Sequence, residues 1–349
     1  MFQVDKNMVD LMGIGMLKSG TLGMVTAIQP VFAGGRIIAG NKLAALGEDV
    51  TNYQSQLYRN EVLLKTEEQY WLVASLSEKL STIQKYEELL NNLMRQTEDA
   101  YNAGLILKND LLKVKLKQSE VLLNKSKVEN GKKLATMAFC QYISIPYDSA
   151  LVFKDSLQIT ARPQTYYVDN DAALKNRTEY KLLQASIRAE ELQTKMKIGE
   201  YLPQVGVGVA ALYMKIDEGT DRTNNMIFGT LSVPLSGWWE ASHTLSERRV
   251  KENIVQNNFK DNSELLLLQM EKAWQDLTDS YKQVLLSEEA KTQAEENLTM
   301  NQMSYDNGLS NLTDLLEAQA MLQQTNDHLT DTKATYRSQL ILYLQITGR

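Results

Sequence analysis

The sequence predicts a mainly α-helical protein with a few β-strands, built as long antiparallel helical hairpins in an internal repeat. Three observations predict it. The pattern Tyr-x-x-Gly-Leu-x-x-x-x-Asp-Leu-Leu occurs twice, at Tyr101–Leu112 and at Tyr305–Leu316, with the copies 204 residues apart. The chain has only five prolines, and none falls between Arg36 and Tyr101. Apolar residues recur every seventh position over long stretches, the spacing of helices wound around neighbours. One large helical unit built twice accounts for all three.

The elements follow in chain order. Thr21–Val31 reads as a strand, with Leu22, Met24, Thr26 and Ile28 on one face and Gly23, Val25, Ala27 and Gln29 on the other. Pro30 is tolerated near a strand end, and Gly34-Gly35 breaks the strand before a helix. The helix from Arg36 to Tyr101 carries Leu43, Val50, Leu57, Leu64 and Trp71 in one register and Leu76, Ile83 and Leu90 in another. At ~1.5 Å per residue it approaches ~100 Å, too long to be buried in one globule, so it must lie along other helices. Gly104 stops it, because glycine takes the left-handed cap conformation cheaply. A new helix starts near Asn109-Asp110, with Val114, Val121, Val128, Ala135 and Tyr142 as its seam. The second copy has a sharper seam, Leu315, Leu322, Leu329, Tyr336 and Tyr343.

The repeat extends beyond the motif. Glu61-Val-Leu-Leu and Trp71 align with Glu264-Leu-Leu-Leu and Trp274, Gln29-Pro30-Val31 with Val233-Pro234-Leu235, and Gln141 with Gln345. Between the halves, Pro146 and Pro163 bound an irregular connection in which Val152-Phe153 and Leu157–Ile159 could form short strands. Asp169–Glu200 reads as helical, Tyr201–Ile216 as a strand and Asp217–Asn225 as a polar loop. The first half has no counterpart to this stretch; Met8–Leu17, apolar and rich in Gly and Met, has no clear structure. By symmetry a helical stretch and one strand are missing, which reads as an N-terminally truncated chain.

In the second half Val205, Val207, Val209 and Ala211 alternate with Gly206, Gly208, Ala210 and Leu212, and Ile227–Leu235 is the expected partner strand. Small and apolar residues on both faces suit a membrane-barrel strand with lipid on one side and a close-packed interior on the other. Trp238-Trp239 follows directly, where such a barrel places its aromatic girdle. A soluble sheet edge packed by two tryptophans is the alternative.

Composition narrows the chemistry. A net charge of −6 gives no basic footprint for nucleic acid. Cys140 is the only cysteine, so neither an intrachain disulfide nor a zinc cluster is available, and its apolar neighbours point to burial in a helix interface. His243 and His328 lie on polar helical stretches without a second ligand at metal spacing. No phosphate-cradling glycine loop or nucleophile elbow appears. The expectation is a protein that is not an enzyme, with no catalytic residue, metal or cofactor. No apolar stretch reaches the ~18 residues of a membrane-spanning helix. Met1–Lys6 lacks the basic region and apolar core of a secretory signal.

Tyr201-Leu-Pro203-Gln-Val, Leu231-Ser-Val-Pro234-Leu235, Gln29-Pro30-Val31-Phe32-Ala-Gly34-Gly35 and the twin Tyr-x-x-Gly-Leu…Asp-Leu-Leu tips resemble TolC-type outer-membrane efflux proteins, over about Thr21 to Arg349. The resemblance implies a homotrimer in which each subunit gives four strands to a shared twelve-stranded transmembrane barrel. The helices would form a hollow α-barrel, a coiled-coil cylinder across the periplasm. A periplasmic membrane-fusion adaptor and an inner-membrane pump, of RND or ABC type, would dock at its lower end, and the strands would contact outer-membrane lipid. This chain shows three strands at most, so the channel reading attaches to the intact gene product, located in the outer membrane with a periplasmic helical extension.

The resemblance also assigns sites. Asp110, Asp314 and Glu317 match acidic positions of a periplasmic aperture, and Tyr305 matches a tyrosine that links neighbouring helices in the closed state, here toward Asp110. Tyr101 is its counterpart in the first tip. The family often has an arginine where this chain has Ser310. Threefold symmetry would turn each carboxylate into a ring that attracts cations and repels anions. The alternative for Asp110 and Asp314 is an acidic residue favoured at a helix N-terminus, and for both tyrosines a packing residue. Gly104 and Gly308 are turn formers that, with Leu105 and Leu309, would shape the tip an adaptor grips. Trp238 and Trp239 would sit at the membrane interface.

The expected organisation is 1–35, a partial barrel strand and loop segment; 36–145, the first hairpin; 146–168, a connection; 169–202, a helix; 203–236, a strand pair; and 237–349, the second hairpin. The leading reading is an outer-membrane channel subunit of a tripartite export system. The rival is a soluble coiled-coil scaffold without a membrane role, which would need no apolar strands at both helix origins.

Overall fold

The computed structural model describes residues 20–155, 157–159, 161–216 and 221–349, with side chains omitted at 20–22 and 216. Met8–Leu17 and most of the expected polar loop, residues 217–220, lie outside the described residues. The elements are β1 (Gly20–Ala33), α1 (Arg36–Asn102), α2 (Lys108–Tyr142), a 3-10 turn (Pro163–Tyr166), α3 (Asn170–Leu174), α4 (Thr178–Gly199), β2 (Gln204–Ile216), β3 (Arg222–Ser232), a second 3-10 turn (Leu235–Gly237), α5 (Trp238–Asp306) and α6 (Leu312–Ile346). Two compact units divide the chain. One takes the chain up to Thr51 together with Leu183–Lys260, and the other takes Asn52–Leu182 with Asp261–Arg349.

The first unit holds an antiparallel sheet of order β1-β2-β3. Val205, Val207 and Val209 share a face with Val25 on β1 and with Ile227 and Leu231 on β3, and all six are exposed. The other face of β2 is Gly206, Gly208 and Ala210, which are buried. Phe228 lies opposite Gly208 in register, and a Cβ at Gly208 would overlap its ring. Thr230, opposite Gly206, donates its hydroxyl to the Gly206 carbonyl at 3.4 Å. The small residues are therefore space for cross-strand neighbours, a packing device of curved sheets.

Pro30 sits inside β1, where the register with β2 shifts between Pro30 and Phe32. Proline removes a ladder donor and is accommodated at such a bulge on an edge strand. Its sequence counterpart Pro234 instead lies beyond β3, so the two proline segments are not equivalent in structure. The strand starting at Arg222 also corrects the expected loop Asp217–Asn225, because Arg222–Asn225 pair with Met214–Ala211. Past the sheet, Gly34 (φ 61°) and Gly35 (φ 80°) turn the chain into α1. Gly34 packs directly on the backbone of Gly199, the last residue of α4, and a Cβ on Gly34 would overlap the Gly199 carbonyl.

The second unit is helical. Its buried positions on α5 run Leu266, Met270, Ala273, Leu277, Ser280, Val284 and Ser287, alternating steps of four and three. On α1 the same alternation runs through Ile83, Tyr86, Leu90, Leu93 and Thr97. This 3.5-residue period is a coiled-coil seam; on α1 it holds two of the expected heptad residues, Ile83 and Leu90, while Leu43, Val50, Leu57, Leu64, Trp71 and Leu76 are half-buried. A fully buried leucine on it contributes roughly 1.5–3 kcal/mol. Lys125–Glu87 (2.7 Å) and Gln118–Asn91 (2.6 Å) join α2 to α1 in antiparallel order, and Lys333–Glu288 (3.1 Å) joins α6 to α5. Cys140 is a free, buried thiol within α2.

The connection between the hairpins forms no strand at Val152-Phe153 or at Leu157–Ile159. Helix side chains take the place of a ladder: Tyr336 donates to the Ala161 carbonyl at 2.9 Å, Arg337 donates to the Gln158 carbonyl, and the Val168 N–H donates to the Tyr343 hydroxyl at 3.2 Å. The expected single helix Asp169–Glu200 is two, α3 and α4, interrupted at Lys175–Arg177. Arg177, only 4% exposed, is held there by two bonds to Glu179, at 3.2 and 2.7 Å, and reaches the Leu266 carbonyl at 3.5 Å. Burial opposes the charge on Glu179, and the Arg177 guanidinium overrides it, holding the carboxyl below its ordinary value.

Both Gly34→Ala and Gly35→Ala place a side chain at positive φ, which costs about 1–2 kcal/mol. Only Gly34→Ala also forces backbones apart, adding about 1–3 kcal/mol. Urea denaturation of the two variants should find Gly34→Ala the less stable; equal losses would show that the Gly199 contact is slack.

Candidate functional site

The two hairpin tips close by the same hydrogen bonds. In the first, the Gly104 N–H donates to the Tyr101 carbonyl and the Leu105 N–H to the Ala100 carbonyl, both at 2.9 Å. In the second, Gly308 donates to Tyr305 at 2.9 Å and Leu309 to Ser304 at 2.8 Å. Gly104 (φ 72°) and Gly308 (φ 70°) supply the left-handed residue that this bonding needs. This is the Schellman motif, with glycine directly after the helix C-cap residue. Leu105 and Leu309, one residue on, are 78% and 83% exposed.

The outgoing helices start differently. Asn311 caps α6 by accepting the Asp314 N–H at 3.1 Å. Leu107 occupies the same place before α2, with a similar extended backbone, no side-chain cap and 73% exposure. An apolar residue spends no hydrogen bond there, so the first tip presents two exposed leucines, Leu105 and Leu107.

The tips share one apolar core. Ile83, Tyr86, Leu90 and Leu93 of α1, Val114 and Val121 of α2, and Leu312, Leu315 and Leu316 of α6 form it. Tyr305 packs against this cluster, half-buried. Burial first, and then the carboxylates of Asp110 and Asp306, push its phenol above the ordinary value. Tyr305 thus serves as a packing residue of the shared core that also feels the Asp110 carboxylate. Tyr101 lies at the surface, 36% exposed.

The hydrogen-bonded partner of Asp110 is Lys113, at 3.2 Å, and the same ammonium donates to Thr313 at the start of α6 at 3.1 Å. Lys113 therefore joins the two hairpins and offsets the Asp110 charge. Asp314 and Glu317 are exposed and form no ion pair among the described residues. Lys113 stands 204 positions before Glu317, so the duplicated motif carries opposite charges at this place. Lys113, Thr313 and Asn311 were missed in sequence. The signal for Lys113 was present, an acid followed by a base at i+3 on one helix face; its reach to Thr313 required the tertiary fold.

In the first unit, the Trp238 indole N–H donates to the Tyr201 carbonyl at 2.9 Å, while Trp239 stands 83% exposed. His243 and His328 are both exposed. Among the described residues, no group of three or more His, Cys, Asp or Glu side chains is placed to hold a metal ion, and no helix is long and apolar enough to cross a membrane.

Leu107→Asn should supply the missing cap and stabilise the chain by about 1 kcal/mol. Chemical denaturation checks this. No gain would mean that the first turn of α2 finds its partners elsewhere.

Comparisons with known proteins agree with this geometry. The family model described as outer membrane efflux protein matches residues 171–349, just over half of the chain. No curated protein matches significantly. Among solved structures, the outer membrane protein VceC of Vibrio cholerae superposes with a TM-score of 0.77 at 16% identity, over 98% of this chain and 90% of that one. The outer membrane channel MtrE of Neisseria gonorrhoeae gives 0.76 at 11%, over 98% and 83%. The outer membrane channel CmeC of Campylobacter jejuni gives 0.72 at 12%, over 95% and 78%. At these identities the structural likeness is one of fold, and the family match supplies the assignment: the chain belongs to the outer membrane efflux protein family, the TolC-type channels that its motifs resemble.

Proposed function

We propose that this outer membrane efflux channel subunit works as a passive homotrimeric conduit in a tripartite export system, handing substrates from an inner-membrane pump of RND or ABC type through a periplasmic adaptor to the exterior. Cargo passes unchanged, and no cofactor takes part. The observation that carries the proposal is the tip: two hairpins with matching bends, a common core, exposed leucines at each bend and free carboxylates on the second. Leu105, Leu107 and Leu309 are the apolar contacts for an adaptor, with Gly104 and Gly308 holding the bends. The two hairpins are copies of one ancestral unit, and their exposed apolar stripe on α2, Leu112, Leu116 and Leu123, faces a neighbouring subunit.

The strands contribute to a shared transmembrane barrel. The exposed apolar face of Val25, Val207, Val209, Ile227 and Leu231 supports this, because a sheet face of that kind needs lipid or protein against it. Trp238 and Trp239 then lie at the membrane–water boundary, and the helices extend into the periplasm.

At the aperture Asp314 and Glu317 form the charged ring, Asp110 is muted by Lys113, and Tyr305 with Tyr101 line the approach. Lys113, bridging Asp110 and Thr313, holds the two hairpins together in the closed state.

Gly308→Val puts a β-branched residue at positive φ and should open the second bend, abolishing efflux-dependent drug resistance in cells that depend on this gene. Unchanged resistance with normal membrane levels would overturn the role of the tip. In planar bilayers, Asp314→Asn with Glu317→Gln should weaken cation preference strongly, whereas Asp110→Asn should change it little. An equal effect from both would mean that Lys113 does not neutralise Asp110.

A further inference from the structure

Outside the tips, the first unit contains a cavity of about 310 Å³ between the start of α1 and the last turns of α4. Its charged lining is Lys42, Arg188 and Lys195, with no acidic residue. Arg188 pairs at 2.9 Å with Glu191, just outside the lining, while Lys42 and Lys195 form no ion pair among the described residues. Leu192 and Ala39 make a buried apolar floor, 2% and 5% exposed. Ile38 and Ile198 stand at its rim, 64% and 41% exposed. Helical spacing explains the arrangement. Ile38 and Lys42 fall one turn apart on α1, and Arg188, Leu192 and Lys195 share one face of α4.

The cavity adjoins the foot of the sheet. Ala33 of β1 pairs with Gln204 of β2, which pairs with Ser232 of β3, and the cavity wall begins at the next residues, Gly34 and Gly35. Trp238 is anchored on Tyr201 beside the same foot. A cavity of this size lies at the small end of ligand pockets, suited to a headgroup rather than a whole lipid.

We propose that this cavity binds the headgroup of an anionic phospholipid, its phosphate between Lys42, Lys195 and Arg188 and its acyl chains leading out over Ile38 and Ile198. The inference rests on the reading of the sheet as membrane-embedded. Lys42 and Lys195, with no ion pair among the described residues, and Arg188, shared with Glu191, select a negative headgroup, and two exposed isoleucines at the rim select an amphiphile over a soluble anion. The site would fasten the junction of strand and helix to the periplasmic leaflet.

The test titrates the purified full chain, in a neutral detergent, with dioctanoyl phosphatidylglycerol, dioctanoyl phosphatidylcholine and glycerol phosphate, and reads binding by native mass spectrometry. Phosphatidylglycerol should bind saturably and more tightly than either of the others. Lys42→Glu with Lys195→Glu should weaken it by about tenfold or more, and Lys42→Arg with Lys195→Arg should preserve it. Circular dichroism checks folding, and a Lys→Gln pair replaces the Glu pair if that variant unfolds. Equal binding of phosphatidylcholine would overturn headgroup recognition, and equal binding of glycerol phosphate would overturn the lipid assignment. Membrane fractionation of the unaltered chain is read separately. A chain in the outer membrane without the lipid preference sinks only this proposal. A chain absent from the membrane sinks the membrane reading and the lipid assignment that rests on it, whatever its preference in detergent.

Discussion

Burial of a 3.5-residue seam is the constraint on which the helical unit depends. Helices as long as α1 and α5 cannot be wrapped by a single globular core, and isolated helices are marginal in water. They persist because Ile83, Leu90, Leu277 and Val284 are closed against α2 and α6. The seam also accepts polar residues where they bond locally. Thr97 donates to the Leu93 carbonyl at 2.7 Å and Ser287 to the Gln283 carbonyl at 2.8 Å, so neither hydroxyl is stranded. Tyr86 is different: its buried hydroxyl has no hydrogen-bond partner among the described residues, and burial, then Glu120, pushes the phenol up to about 12.

That seam delivers both bends into one core, and the chemical difference between them arises there. The bends are alike in backbone and unlike in chemistry. Leu107 against Asn311 exchanges a cap for exposed apolar surface, and Lys113 against Glu317 reverses a charge. Two bends can share one geometry through the glycine-based bonds while their side chains differ, because the Schellman bonds are made by backbone groups. One tip then becomes apolar and internally paired, the other acidic and open.

The sheet follows a second rule. Gly206, Gly208 and Ala210 leave room for Phe228 and Thr230, and the opposite face carries its valines and isoleucine outward. At its foot the approach of Gly34 to Gly199 brings α4 against the start of α1, which creates the cationic cavity between them.

Much of this was legible in the sequence. The helices, the bends, the three strands and the heptad seams follow from periodicity and glycine placement, because those are local properties of the backbone. The interruption of the helix near Arg177 was not legible, since it depends on a carboxylate two residues on and a carbonyl on α5. Nor was the missing strand at Leu157–Ile159, where the Gln158 carbonyl is served by the side chain of Arg337, 179 residues away. By itself the sequence determined the long helices, their glycine bends and the apolar faces of the strands, which local periodicity sets. Only the tertiary structure decided which polar groups meet, as at Lys113 and Thr313, because a hydrogen bond between distant segments exists only once packing has brought them within reach.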